Sequence, residues 1–213
     1  MKLPILINGL AAALGAGVAR GDCIFNENAA IPEGNPVGVT FAGNVSGLAG
    51  NVSGLILDLN VSGGYNGDLY AYLEAPNGTT ATLLNNPGVT DSNPFGFGGS
   101  GLSIVFSDAA TANLQTTPEI SGAVVTGSFQ PVGSFSPFNG LVANGTWTLF
   151  IAADSAGGSQ PELTSWGLDI ITNAVPEPGQ AAALAMLSLG VISAGIARQV
   201  AKHRAGKKEV SPG

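Results

Sequence analysis

Leu55-Ile56-Leu57-Asp58-Leu59-Asn60-Val61-Ser62 carries an apolar side chain at every odd position, and Asp58, Asn60 and Ser62 stand at even ones. Successive side chains of an extended chain point to opposite faces, so this alternation buries one face and wets the other. The stretch predicts a half-buried strand. Downstream, Gly63-Gly64-Tyr65-Asn66-Gly67 reads as a turn-rich link into Asp68–Glu74, where Leu69, Ala71 and Leu73 share a face. Ala75-Pro76-Asn77-Gly78 is a turn, because Asn-Gly readily supplies positive φ. Thr79 to Leu84 then returns as a strand. Later strands are expected at Leu102–Phe106, Gly145–Ala153 and Leu163–Thr172. Trp147, Leu149 and Ile151 alternate in one of them, and Trp166, Leu168 and Ile170 in another.

Short strands separated by Gly and Pro turns indicate an all-β fold, an antiparallel sandwich or jelly roll. Both tryptophans are expected in its core. Tyr70 and Tyr72 fall opposite the apolar face and, with Tyr65, either fill a second layer or stack on sugar rings. Gly43-Asn44-Val45-Ser46-Gly47-Leu48 recurs as Gly50-Asn51-Val52-Ser53-Gly54-Leu55, which reads as a local duplication across adjacent strands. Gly96-Phe97-Gly98-Gly99-Ser100-Gly101 lacks a following Lys and a βαβ context, so it reads as a flexible connection and not a phosphate loop.

Charge is distributed unevenly. All seven Lys and Arg residues lie at the ends of the chain, and His203, the single histidine, is there too. Between Gly21 and Ala174 there are twelve carboxylates and no cationic side chain. Such a body is expected to lack internal salt bridges and to depend on apolar burial and backbone hydrogen bonds. With no cation to neutralise phosphates, it excludes nucleic-acid binding. With no histidine in the body, a nucleophile–histidine triad is excluded as well. Unpaired carboxylates either keep a secreted surface soluble or attract a divalent cation. Cys23 is the sole cysteine, so no internal disulfide staples the fold.

Each end has the layout of a targeting segment. Met1-Lys2, an apolar stretch and Gly17-Val18-Ala19 resemble a secretory signal with cleavage before Arg20. The other reading of that stretch is an uncleaved anchor. At the far end, Val175-Pro176-Glu177-Pro178 precedes an apolar run that closes at Ala197, and Arg198, Lys202, Arg204, Lys207 and Lys208 follow. Pro176 and Pro178 hold the motif extended. A helix from Ala181 to Ala197 would be about 26 Å long, close to the hydrocarbon thickness of a bilayer. The basic flank would hold its own end in the cytoplasm. The expected organisation is a signal over 1–19, a linker over 20–36, a β-sandwich over 37–173 and a sorting tail over 174–213. Within that tail the motif is 175–178, the transmembrane helix 179–197 and the basic end 198–208.

Those three parts in that order resemble the PEP-CTERM sorting signal of bacterial exported proteins. The resemblance implies recognition of Val175, Pro176, Glu177 and Pro178 by an exosortase-type transpeptidase. It also implies anchoring at the inner membrane, stopped by Arg198, Lys202 and Arg204, and then delivery to the cell surface or extracellular matrix. A second resemblance lies in the body. Asn66-Gly67-Asp68-Leu69-Tyr70-Ala71-Tyr72-Leu73-Glu74-Ala75-Pro76-Asn77-Gly78-Thr79 is similar to the GDL–strand–SPxGT pattern of the P domain (P/Homo B) of subtilisin-like proprotein convertases. Asn144-Gly145-Thr146-Trp147-Thr148-Leu149 to Asp154, with Leu163-Thr164-Ser165-Trp166-Gly167-Leu168, resembles that family's closing motif. This implies a jelly-roll sandwich, and calcium at Asp68, Asp108 and Asp154 is one option; a turn-capping or strand-edge role is the other. The chain departs from the family in carrying no protease domain. The expectation is an exported, noncatalytic, structural or adhesive module. The alternatives are a trans-acting partner of a secreted protease and a binder of matrix polysaccharide.

Overall fold

A computed structural model describes residues 18–173. The chain divides into Met1–Ala174 and Val175–Gly213, and the described residues all belong to the first unit. The sorting motif, the expected transmembrane helix and the basic end lie outside the described residues, as does nearly all of the expected signal. Among the described residues no helix is long and apolar enough to cross a membrane.

The strands are β1 (Val18–Ala30), β2 (Asn35–Val45), β3 (Asn51–Ser62), β4 (Leu69–Glu74), β5 (Thr80–Asn85), β6 (Gly101–Ser107), β7 (Ala112–Asn113), β8 (Val125–Gln130), β9 (Gly145–Ala153) and β10 (Glu162–Asn173). They form a sheet in the order β1-β10-β3-β6-β8-β7 and another in the order β2-β9-β4-β5. The described residues thus form an all-β sandwich. On β3 the alternation is realised: Leu57 and Leu59 are fully buried, and Leu55 and Val61 nearly so. Trp147 and Trp166 are fully buried in the shared core with Leu73, Leu149, Ile151 and Leu168. Each indole N–H has an acceptor, Ala143 O at 2.9 Å for Trp147 and Glu27 Oε1 at 3.0 Å for Trp166.

The structure corrects four expectations. Residues 20–36 are not a linker, since β1 and the start of β2 occupy most of them. β1 pairs antiparallel along β10, turning Cys23 toward Leu168 and Phe25 toward Trp166, whose ring centroid lies 4.5 Å from that of Phe25. Strand β10 runs twelve residues and would otherwise present an unpaired edge, which invites another chain to pair with it. Inclusion of β1 brings in Arg20, whose Nε donates to Asp169 Oδ1 at 2.7 Å and whose Nη2 donates to Oδ2. The sandwich therefore does hold an ion pair. It is also not purely antiparallel. β8 runs parallel to both β6 and β7, because the chain passes the sheet edge at β7 and returns over residues 114–124 before entering between them. Parallel neighbours require such a crossover. Finally, the repeated hexapeptides end β2 and open β3, which lie in different sheets.

A cleft built from three loops

At one end of the sandwich three loops converge on Asp68. The first is the single 3-10 turn Asn66–Asp68 that leads into β4. Residues 95–98, ahead of β6, form the second, and residues 155–157, between β9 and β10, the third. Together they enclose a cleft of about 330 Å³ lined by Tyr65, Asp68, Phe95, Gly96, Phe97, Gly98, Ser155, Ala156 and Gly157.

The backbone explains why the loops meet. Asn66 N–H donates to Gly99 O at 2.9 Å and Gly67 N–H to Phe97 O at 2.9 Å. A side chain on Gly67 would collide with Phe95 O and with Phe97 N, so glycine there is what lets the loops close. Asn66, fully buried, receives Gly101 N–H at 3.1 Å and donates to Gly101 O at 3.2 Å and Glu119 Oε2 at 3.0 Å. Glu119 Oε2 also accepts Gly99 N–H at 3.1 Å. The Gly-rich segment is therefore a tied-down wall, not the flexible connection expected of it. Asp154 N–H donates to Asp68 O at 2.8 Å and brings in the third loop.

Asp68 is only 8% exposed. Burial pushes its carboxyl up from the ordinary value; a hydrogen bond from Ser155 opposes that, and the nearby Glu33 and Asp154 carboxylates add to it. Burial likewise raises Glu119, against the bonds from Asn66 and Gly99 N–H. Two rings are braced by glycines: Tyr65 lies against Gly158, and Phe97 covers Gly88, where φ is +77°. Phe95 is 78% exposed. Its segment is nonetheless anchored, because Phe97 N–H donates to Pro87 O at 2.8 Å and Asn93 Nδ2 to Gly96 O at 2.8 Å.

The three aspartates proposed as calcium ligands separate into a pair and an outlier. Asp68 and Asp154 are neighbours, and Asp154 is exposed and accepts a bond from Asn86 Nδ2 at 3.3 Å. Asp108 is committed elsewhere, receiving Phe135 N–H at 2.9 Å on Oδ1 and Ser134 Oγ at 3.0 Å on Oδ2. Among the described residues no three His, Cys, Asp or Glu side chains come together as a metal's ligand set. Asp108 caps the Ser134–Phe135 turn. Tyr70 and Tyr72 lie half-buried on the outer face of the four-stranded sheet. Tyr72 stacks on Phe150 at 4.7 Å, and Tyr70 meets Phe150 edge-on at 6.1 Å. The residues that sequence reasoning missed are Phe95, Phe97 and Ser155. The available signal was a pair of phenylalanines inside an otherwise glycine-rich polar segment.

No family model and no curated protein matches the chain. Among solved structures, a chain in the crystal structure of the Aeromonas sobria serine protease and chaperone complex is similar over 75% of this chain, at 17% identity and a TM-score of 0.49. The crystal structure of the serine protease of Aeromonas sobria is similar over 73% of it, at 17% identity and a TM-score of 0.44. This chain spans 28% and 27% of those chains, respectively.

Proposed function

We propose that this chain is an exported, surface-sorted, noncatalytic sandwich of the jelly-roll P-domain type, a structural or adhesive component of the cell surface or extracellular matrix that acts by binding. The observation that carries the reading is the charge distribution: twelve carboxylates and no cation between Gly21 and Ala174, with Arg20 on β1 the one Lys or Arg among the described residues. A sharply acidic body flanked by apolar and basic ends fits a domain that is passed across a membrane and held there by its tail. The cleft adds what a binding module needs, which is a preformed concave site with rings and one sheltered carboxylate.

In this reading the PEP-CTERM-like tail keeps the protein in the inner membrane until an exosortase-type enzyme cuts near Val175-Pro176-Glu177-Pro178. The test is to replace Pro176, Glu177 and Pro178 together with Ala and fractionate the cells. Uncleaved chain should accumulate in the membrane fraction. Normal release of that variant to the surface would refute the proposal.

A further inference from the structure

From the same cleft we infer a ligand class: it receives a lysine or arginine side chain of a basic peptide partner, with the cation at Asp68 and the aliphatic stem against Tyr65, Phe95 and Phe97. This deepens the binding role proposed above and rests on it. Cations are attracted to aromatic rings, and their apolar stems pack on the same surfaces. The cleft supplies three such rings and a carboxylate 8% exposed. Asp68 has one hydroxyl partner, Ser155, and two further carboxylates, Glu33 and Asp154, act on it from neighbouring segments. A visiting cation would supply the counter-charge that this end of the sandwich lacks.

Other ligands fit less well. A divalent metal needs several converging oxygens, and the lining offers one carboxylate and the Ser155 hydroxyl among rings and small residues. At about 330 Å³ the volume lies at the small end for ligand sites, the size for one side chain and not a folded surface. Phe95 is the decisive residue. A phenylalanine held out in water on an anchored segment has no packing role, but it is preorganised to cover an incoming stem.

The experiment is calorimetric titration of the full chain, in nonionic detergent, with tetralysine. A saturable one-site isotherm is expected. Phe95→Ala should weaken it about 2- to 5-fold, as loss of one partly exposed cation–ring contact predicts. Asp68→Asn should weaken it about tenfold or more, the usual loss for a charged hydrogen-bonded partner. Glu162→Gln, a carboxylate removed from the exposed start of β10, should change it little. Phe95 is so exposed that its variant tests the site without threatening the fold. Four results would overturn the inference: no binding by the wild type; equal binding of tetralysine acetylated on every side chain; equal weakening by Glu162→Gln and Asp68→Asn; or displacement of the peptide by calcium chloride. None of these bears on sorting, which the fractionation reads separately.

Discussion

Asp68, Asp58 and Glu119 are carboxyls held up from their ordinary values, each mainly by burial, with Asp22 and Asp169 adding to the effect at Asp58. A raised acid binds its proton more tightly in the folded chain than in the unfolded one. As pH climbs past the ordinary value, the unfolded chain releases the proton first, and stability falls until the folded value is passed. For Asp68 that fall begins near its ordinary 3.8. Asp68→Asn should flatten it. Urea unfolding from about pH 3 to about pH 8 should show the variant gaining on the wild type as pH rises. Asp108 has a mechanical role, because its oxygens accept the backbone N–H of buried Phe135. Asp108→Ala should cost about 1 kcal/mol in chemical denaturation, the usual effect of losing such a cap, and a chelator should not reproduce the loss. At this scale the sequence was legible where neighbours along the chain decide a role, as with Trp147 and Trp166. It was silent on Asp68 against Asp108, which are alike in sequence and differ only in what folds over them.

The strands that sequence reading located, β3, β4, β5, β6, β9 and β10, all carry apolar alternation or β-branched runs bounded by turns. The missed strands are β1, β2, β7 and β8; β1, β2 and β7 are edges of their sheets, paired on one side only, while β8 is interior but carries the exposed run Thr126, Gly127 and Ser128. Edge strands can carry polar and outward apolar residues, as Ile24 at 65% and Val37 at 79% exposed illustrate. Their pattern is therefore weak, and the pairing of β1 and β2 is decided by β10 and β9. Residues 95–101 were misread for a related reason. Glycine abundance reads as mobility, whereas here it permits close approach between backbones. Gly67→Ala tests this directly: crowding against Phe95 O and Phe97 N should cost about 1–3 kcal/mol. Faster amide exchange at Gly67 and Phe97 would report the loosened wall.

Taken as a molecule, the sandwich joins its first and last described strands, so that β1 closes one edge of the larger sheet along β10. A chain lacking residues 20–30 should therefore lose Arg20–Asp169, uncover Trp166 and unfold at lower urea with a smaller m-value. Unchanged unfolding would show that β1 is dispensable. On the strands that alternate, which side chains face the core and which face water was determined by the amino-acid order alone, as was the lack of cations between Gly21 and Ala174, because alternation and composition are local properties. The edge strands, the ion pair between exposed Arg20 and sheltered Asp169, and the cleft were decided only in three dimensions. Asp68, Phe95 and Ser155 stand far apart along the chain, and no periodicity relates them. They become one site because backbone hydrogen bonds between loops, made possible by a missing side chain at Gly67, draw those segments together.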